Sequence, residues 1–403
     1  MADAEPFDLH VLEQVADPYP VLAELRSGGT VRRTTDGFWA VTGHAEALDA
    51  LRLPGCASSP VALRFLEGLP PGAARDEMVH RINFLDPPDH PRVRGLLSTA
   101  FTPRRVAALR PWMESTAAGL AAGLHGQERF DLLSAFSHQL PSLVISELLG
   151  VPAADRDRLT DFSDRTAPLL GLRSTVAQRA AAVDAAEEFH AYLGELLDER
   201  ASAPGDDLLS ALLAATAEDA GGTTRLSRPE LLSLAATLYS AGHRTTRDLF
   251  TNGVSVLLDD PDRWQRVVAG EWSVADVVAE FLRYETPTLY VVRVPLEPLE
   301  IGGVQIGPWE PLVVVLGAAN RDPAVYRDPD AFQPGRSGPP ALSFAFGAHY
   351  CLGASLARSE AEVMLSTVVN EFPELRDADG VPALRPWHQR GAFRGLNELL
   401  VAP

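Results

Sequence analysis

The sequence contains no lysine, so all 35 of its basic side chains are arginines. This absence excludes a Walker A phosphate loop, a Schiff-base or pyridoxal phosphate site and a protein-kinase site, because each of these needs a lysine amine. Cysteine is almost as rare. Cys56 and Cys351 cannot form a zinc site by themselves, and two cysteines in 403 residues provide no disulfide framework of the kind found in secreted domains.

Positive charge and long hydrophobic runs are also scarce. The net charge of −19 argues against a nucleic-acid-binding protein, because such a chain repels phosphates. The first residues, Met-Ala-Asp-Ala-Glu-Pro, lack the basic and then apolar order of a signal peptide. The longest apolar stretch, residues 312–319, is too short to span a bilayer. We therefore expect a soluble, cytoplasmic protein without a nucleic-acid or membrane partner.

Helical patterns cover most of the chain. Apolar residues recur three and four positions apart in long segments, namely 107–124, 134–149, 177–200, 227–258, 273–284 and 353–371. The longest segment begins at Ser227-Arg-Pro-Glu230, where Ser227 and Glu230 can cap each other. A helix of that length spans about 45 Å.

Strand patterns are few and local, at 38–42, 289–294 and within 301–315. The segments 54–72 and 334–340 are rich in glycine and proline and are predicted to be loops. No internal repeat and no linker marks a domain boundary. We predict a single domain over residues 1–403, mainly α with a small β region (an α+β class).

Cys351 carries the strongest chemical signal in the sequence. It stands in a glycine-punctuated loop directly before a helical pattern, where helix N-terminal amides stabilise a thiolate. Gly347 and Gly353 let the backbone approach the sulfur closely, as a metal ligand requires. A buried structural cysteine is the alternative interpretation of these residues alone.

The loop around Cys351 resembles the haem-binding loop of the cytochrome P450 family in residue type and spacing, at Phe344, Gly347, His349, Cys351 and Gly353. Further family motifs follow in the expected order over essentially the whole chain: His90-Pro-Arg-Val-Arg94, Ala241-Gly-His-Arg-Thr-Thr246, Glu280-Phe-Leu-Arg283 and Phe332-Gln-Pro-Gly-Arg336. The resemblance implies the P450 fold, with a long central helix over the haem. It also implies haem b (iron protoporphyrin IX) as the cofactor and Cys351 as the axial ligand of its iron.

The same resemblance assigns roles to other residues. The haem carboxylates would contact four cationic side chains, His90, Arg94, Arg293 and His349, for which ordinary surface cations are the alternative. Phe344 and Gly353 would belong to the cofactor-binding loop. On the central helix, Gly242 would leave space for dioxygen, with simple packing as the alternative. The Thr245 hydroxyl would pass protons, and a hydrogen bond back to its own helix is the alternative. Glu280, Arg283 and Arg336 would form a structural ion-pair network, whereas an isolated surface pair is the simpler interpretation.

Arg244 departs from the family pattern. The residue before the threonine is usually acidic and can relay protons, whereas a guanidinium effectively cannot deprotonate. Arg244 either pairs with Asp248 and turns away from the haem, or it faces the pocket, where it holds an acidic group or assists oxygen–oxygen cleavage in catalysis. A smaller departure is Ala345, which stands where the family usually has glycine.

The resemblance further implies a mostly apolar substrate pocket that suits a bulky, mostly neutral molecule. Its predicted lining includes Phe65, Ile82, Leu238, Ala241, Leu289, Tyr290, Val291 and Phe393, although an apolar core would contain the same residue types. Electrons would come from a separate ferredoxin and ferredoxin reductase. The arginine-rich segment 90–113, which contains no acidic residue, is the predicted docking region.

The predicted activity is that of a P450 monooxygenase that hydroxylates or otherwise oxidises a secondary metabolite. Three alternatives remain at this point. The protein could couple or cyclise an aromatic or peptide-derived substrate oxidatively, it could use peroxide as a peroxygenase, or it could bind a gas at its haem without turnover.

Overall fold

The chain folds into two compact units in the computed structural model, which describes residues 6–170, 174–219, 222–378 and 385–403. The first unit comprises Met1–Ala57, Arg110–Leu140 and Thr245–Pro403, and the second comprises Ser58–Leu109 and Pro141–Arg244. Helices dominate the described residues and the strands are short, which confirms the mainly α class with a small β region. None of the described helices has the length and hydrophobicity of a bilayer-spanning segment.

The helices of the described residues are α1 (Tyr19–Ser27), α2 (His44–Arg52), α3 (Ser59–Leu66), α4 (Ala73–His80), α5 (Asp89–Ala100), α6 (Pro103–Ala122), α7 (Gln139–Leu149), α8 (Arg156–Thr166), α9 (Val176–Ser202), α10 (Leu208–Ala214), α11 (Arg228–Leu258), α12 (Pro261–Val268), α13 (Val274–Tyr284), α14 (Leu316–Ala319) and α15 (Ala354–Glu371). A short π-helical stretch, Leu133–Ser137, precedes α7.

The strands of the described residues are β1 (Val31–Arg33), β2 (Trp39–Val41), β3 (Cys56–Ala57), β4 (Phe130–Asp131), β5 (Ala217–Asp219), β6 (Gly222–Thr224), β7 (Val291–Pro295), β8 (Leu299–Ile301), β9 (Val304–Ile306), β10 (Leu312–Val314), β11 (Arg376–Asp377), β12 (Trp387–Arg390), β13 (Phe393–Leu396) and β14 (Leu400–Ala402).

The first unit holds a mixed sheet in the order β1-β2-β10-β7-β3. Strand β10 runs parallel to β2 and antiparallel to β7, and its Leu312 lies opposite Arg293. Helix α2 packs beside this sheet, so that Leu51 joins Leu312, Val314 and Leu342 in one buried apolar cluster. Because Leu342 starts the loop that contains Cys351, this core anchors the loop at its first residue.

The second unit has a core of its own, in which Met78 of α4, Phe84 and Ala186 of α9 are buried together. Phe65 of α3 stacks on Phe84 with the ring centroids 5.6 Å apart. This apolar contact holds α3 beside the segment that follows α4.

The long helices predicted from periodicity are all present, with boundaries that shift by a few residues. The predicted cap of α11 is confirmed: the Glu230 Nα–H donates to Ser227 Oγ at 3.4 Å, and the Ser227 amide donates to Glu230 Oε2 at 2.7 Å. The prediction of a loop over 54–72 is wrong, because this segment contains β3 and α3. The reason is a cap from a distant residue: the Asp86 carboxylate accepts the amides of Ser58 and Ser59, each at 2.8 Å.

Candidate functional site

Cys351 lies at the end of a tightly folded loop in the first unit. Its amide donates to the Phe344 carbonyl at 3.0 Å, and the Tyr350 amide donates to the Gly347 carbonyl at 3.0 Å. Helix α15 begins three residues later, at Ala354, and the Cys351 side chain is half-buried. The thiol therefore stands next to the N-terminus of an 18-residue helix, where a thiolate is favoured.

Two backbone positions fix the shape of this loop. Gly347 has a φ of +74°, and a Cβ atom there would lie 2.5 Å from the Leu51 carbonyl oxygen. Ala345 has φ +57° and ψ −158°, a region that is essentially restricted to glycine. The alanine that departs from the family pattern therefore keeps a glycine-like backbone, which costs conformational energy.

The predicted ion-pair network lies behind this loop and is buried. Arg283 donates to both carboxylate oxygens of Glu280, at 2.8 and 2.7 Å, and Arg336 Nε donates to Glu280 Oε1 at 3.2 Å. The Glu280 and Arg283 side chains are each 3% exposed. The interpretation as an isolated surface pair is wrong, because removal of one partner would leave a charge buried in the protein.

Asn320, which the sequence analysis missed, joins this network to the Cys351 loop. Its carbonyl accepts from Arg283 Nη1 at 3.1 Å, and its Oδ1 accepts from the Leu342 amide at 2.7 Å. Its Nδ2 donates to Ser343 Oγ at 2.8 Å. The only sequence signal was a polar residue directly after the apolar stretch 312–319, and this does not reveal partners that lie some twenty to forty positions away.

Two of the predicted cations accompany Cys351 in the first unit. Arg293, on β7, is buried, and its Nη1 donates to the Val292 carbonyl at 2.8 Å. His349 is half-buried in the turn Gly347–His349. Burial raises the pKa of the Cys56 thiol on the neighbouring strand β3 to about 11, although the Arg293 guanidinium opposes this rise. Cys56 therefore stays a protonated thiol at neutral pH.

The predicted central-helix residues all lie on α11, whose interior is mostly buried. Thr245, in the first unit, is half-buried. In the second unit Gly242 packs closely, since a Cβ atom there would lie 3.1 Å from the side chain of Ile145 on α7. This contact gives Gly242 a packing role, whereas its role in leaving space for dioxygen stays a prediction.

Arg244 lies beside an acidic residue of the second unit. Its Nε is 3.7 Å from Asp164 Oδ1 on α8, and the buried His243 places its Nε2 3.8 Å from the same oxygen. Asp248, the partner considered from the sequence, accepts from Arg247 Nε at 2.8 Å. The carboxylate of α8 therefore supplies a counter-charge that the sequence did not indicate.

His90 and Arg94 lie one helical turn apart on α5 of the second unit, and so share one helix face. His90 is buried and Arg94 is half-buried. Buried cationic side chains suit the binding of anionic groups. Their contact with haem carboxylates stays a prediction.

The predicted pocket residues fall into both units. In the first unit two hydrogen bonds bring the segment 287–291 to the turn near the C-terminus: the Leu289 amide donates to the Ala392 carbonyl at 2.8 Å, and the Arg394 amide donates to the Pro287 carbonyl at 2.9 Å. Leu289 is fully buried, whereas Phe393 is 38% exposed. In the second unit Phe65, Ile82 and Leu238 are half-buried and Ala241 is exposed.

The arginine-rich segment 90–113 is less positive than its sequence suggests. Arg92 pairs with Asp89 and Glu230, and Arg105 Nη2 lies 3.3 Å from Asp206. Arg110, in the first unit, pairs with Glu114 and Glu362. Arg104 is exposed. Acidic residues from outside the segment thus neutralise part of its charge.

The residues of the first unit suit an iron porphyrin. Such a group can take a cysteine thiolate as its axial ligand, and its two carboxylates are stabilised by cationic donors. The half-buried Cys351 before α15 supplies the first, and Arg293 and His349 supply donors of the second kind. A Cβ atom at Gly347 would collide with the Leu51 carbonyl oxygen, so the absence of a side chain lets the loop backbone approach helix α2 closely.

The chain is similar in sequence to several known proteins. A family model described as cytochrome P450 matches residues 274–384. Cytochrome P450 107B1 of Saccharopolyspora erythraea is 38% identical over 381 residues, which cover 92% of this chain and 91% of that protein. The cytochrome P450 monooxygenase PikC of Streptomyces venezuelae is 35% identical over 406 residues, with coverages of 97% and 93%.

Solved structures extend the similarity to the fold. The crystal structure of P450BioI in complex with an acyl carrier protein that carries hexadec-9-enoic acid matches with a TM-score of 0.88. The sequences are 30% identical, and the match covers 98% of this chain and all of that one.

Proposed function

Because this chain belongs to the cytochrome P450 family, we propose that it holds haem b through Cys351 and oxidises a bulky, mostly neutral small molecule. As a P450 monooxygenase of the bacterial secondary-metabolism type, it inserts oxygen into this substrate. The observation that carries the assignment of Cys351 is the loop between Phe344 and Ala354, which sets one cysteine at the start of α15.

The haem-thiolate group, when bound, supplies oxygen activation, and the thiolate favours cleavage of the oxygen–oxygen bond. The chain's own residues bind and orient this group. In the proposal, Arg293 and His349 donate to its carboxylates together with His90 and Arg94, and Phe344 and Gly353 line the loop beside it. The Thr245 hydroxyl holds and passes a proton, and Gly242 leaves room beside the helix backbone.

The cysteine assignment is tested with the two cysteines as a matched pair. In the reduced, carbon monoxide-bound protein, wild type and Cys56→Ala are expected to show the red-shifted Soret band of the family, and Cys351→Ala is expected to lose it. The physical reason is that Cys56 remains a thiol, since its pKa is raised to about 11, whereas Cys351 lies at a helix start. A band that survives in Cys351→Ala would overturn the assignment.

Electrons are proposed to come from a separate ferredoxin and ferredoxin reductase in the cytoplasm. The exposed Arg104 supports this, because it leaves a positive charge available on the segment 90–113 for an acidic partner.

Oxidative coupling or cyclisation is the second candidate reaction, and Arg244 is the observation that favours it. A guanidinium before Thr245 cannot release a proton, so a substrate that supplies its own N–H or O–H hydrogen suits this site. Turnover under labelled dioxygen separates the two reactions: a labelled product means hydroxylation, and an unlabelled product with a new carbon–carbon or carbon–nitrogen bond means coupling.

The Arg244 hypothesis also predicts a change in uncoupled peroxide release. The single change Arg244→Glu would place a second carboxylate beside Asp164, and the two negative charges would repel each other. The double variant Arg244→Glu/Asp164→Asn avoids this repulsion, so it is the better way to restore an acidic proton relay before Thr245. We expect this double variant to release severalfold less hydrogen peroxide per NADPH than Asp164→Asn alone. Equal release by the two variants would show that residue 244 has no part in proton delivery.

A further inference from the structure

Helix α11 carries a buried carboxylate one helical turn after Thr245. This residue, Asp248, is 3% exposed, and it belongs to the first unit together with Thr245. Side chains three positions apart on a helix are neighbours, with Cβ atoms about 5–6 Å apart. The hydroxyl that is predicted to pass protons therefore has an acid beside it, although Arg244 stands where the family usually has one.

Arg247 holds one oxygen of this carboxylate. Its Nε donates to Asp248 Oδ1 at 2.8 Å, and its side chain is 13% exposed. The guanidinium favours the ionised form of the carboxyl group, because opposite charges attract. An ionised carboxylate accepts hydrogen bonds at two oxygens with about four lone-pair sites, so one guanidinium does not saturate it. Asp248 is therefore fixed in place as a proton acceptor.

The C-terminal hairpin of β12 and β13 lies against Asp248. A Cβ atom at Gly395 of β13 would be 2.8 Å from Asp248 Oδ1 and 3.0 Å from His388 Nε2. His388, on β12, is the cross-strand partner of Gly395. Because Gly395 has no side chain, the carboxylate of α11 and the imidazole of β12 share the space above its Cα atom.

This aspartate and histidine lead from the interior towards the surface. Asp248 is buried, whereas His388 is half-buried. An imidazole gains and loses protons near neutral pH, and a carboxylate can accept a proton and pass it on. Neither side chain has a part in the proposed binding of the haem. Thr245, Asp248 and His388 therefore form a series of three groups that can each carry a proton.

We propose that Asp248 and His388 deliver protons to Thr245 and so replace the acid that is missing at position 244. Asp248 takes a proton from the His388 imidazolium and passes it to the Thr245 oxygen as that hydroxyl releases its own. Solvent then protonates His388 again, so each step moves one proton and no electron. Both are positioning residues, because they act through Thr245.

This inference rests on the proposed function, since Thr245 passes protons only in a protein that activates oxygen. It favours oxygen insertion over coupling, because the proton need not come from the substrate.

The pKa of His388 tests the pairing without turnover. It is measured by NMR on isotope-labelled imidazole carbons of the reduced, carbon monoxide-bound protein, with His388→Gln to assign the signal. Asp248→Asn is expected to lower this pKa by about 1, because the imidazolium loses a nearby negative charge while Arg247 remains. An unchanged pKa of His388 would overturn the proposal.

Asp259→Asn is the matched control for this measurement. Asp259 directly follows α11, and its Oδ1 accepts from Arg385 Nη1 at 2.7 Å. The control thus also removes a carboxylate that an arginine holds, but it does so more than three helical turns beyond Thr245. It is expected to leave the pKa of His388 unchanged.

Proton delivery itself is tested by the solvent isotope effect on NADPH oxidation, with a surrogate ferredoxin and its reductase and no added substrate. Reduction of oxygen to peroxide or water consumes protons. Asp248→Asn is expected to oxidise NADPH at least about tenfold more slowly than wild type. It is also expected to show a larger ratio of the rates in ordinary and heavy water, because proton transfer becomes the slow step.

The other variants separate a relay from a structural role. Asp248→Glu is expected to restore most of the rate, and Asp259→Asn is expected to behave as wild type. A slow Asp248→Asn with the isotope ratio of wild type would show a structural role only and would overturn the relay, as would an unchanged rate. Should Asp248→Asn not fold, His388→Gln is expected to raise the isotope ratio, and an unchanged ratio there overturns the proposal.

The carbon monoxide spectrum of the same preparations separates the two levels of inference. A wild-type protein without the red-shifted band refutes the proposed function. A protein with the band, in which Asp248→Asn matches wild type, refutes only the proton relay.

Discussion

Ala345 shows how one residue of the Cys351 loop stores strain. The sequence has an alanine at a position where the motif that it resembles usually has glycine, but it does not show that the backbone keeps φ +57° and ψ −158° there. For a residue with a Cβ atom this region costs about 1–3 kcal/mol. The loop keeps this conformation because the Leu342 amide is held by Asn320 and the Cys351 amide by Phe344.

Replacing Ala345 by glycine is therefore expected to stabilise the protein by about 1–2 kcal/mol, because glycine adopts this conformation without strain. The measurement is the free energy of unfolding in urea. Ala341→Gly is the matched control in the same loop, since Ala341 has an ordinary φ of −59°. That control is expected to be destabilised by up to about 1 kcal/mol through the added freedom of the unfolded chain. Destabilisation by both glycines would contradict the strain at Ala345.

At the scale of elements, periodicity predicted the long helices because each buries an apolar face and carries local signals at its ends. Ser273, for example, caps α13 by accepting the Asp276 amide at 3.1 Å. Helix α3 escaped prediction because its cap is Asp86, some 27 positions away. The motif around Cys351 was recognisable in the sequence because its residues are close together in the chain. Its support by Asn320 depends on contacts between distant residues, which form only in the folded protein.

Helix α15 carries a buried acid whose effect depends on pH. Glu360 is 1% exposed, and burial raises its pKa well above the usual value, so folding takes up a proton. Stability from this group is greatest below its unfolded pKa of about 4.3 and is lost as the pH rises through the folded pKa. We expect Glu360→Gln to gain stability relative to wild type from pH 5 upwards, by as much as about 1.4 kcal/mol per pH unit.

Urea unfolding at pH 5 and pH 8 measures this difference. Glu362→Gln, two residues further along α15, serves as the control because the Glu362 carboxylate is half-exposed and pairs with Arg110. A difference between Glu360→Gln and wild type that stays constant from pH 5 to pH 8 would show that Glu360 is ionised in the folded protein.

At the scale of the whole molecule, the net charge of −19 would oppose the approach of an acidic ferredoxin, the electron donor proposed above, whereas the segment 90–113 is predicted to attract it. Salt separates the two effects, because charges are screened beyond about 30 Å at 0.01 M and about 10 Å at 0.1 M. At low salt the whole molecule repels the partner. At intermediate salt only the arginines of the segment 90–113 still act on the partner, by attracting it. At high salt this attraction is screened as well.

The rate of reduction by a small acidic ferredoxin is therefore expected to pass through a maximum as ionic strength rises from 0.01 to 1 M. Arg104→Glu and Arg75→Glu change the net charge equally, but only Arg104 belongs to the segment 90–113, and both arginines are exposed. We expect Arg104→Glu to lower the maximum severalfold and Arg75→Glu to leave it nearly unchanged. If the two variants lose rate equally, the net charge of the molecule governs the encounter and the arginine-rich segment has no special part in it.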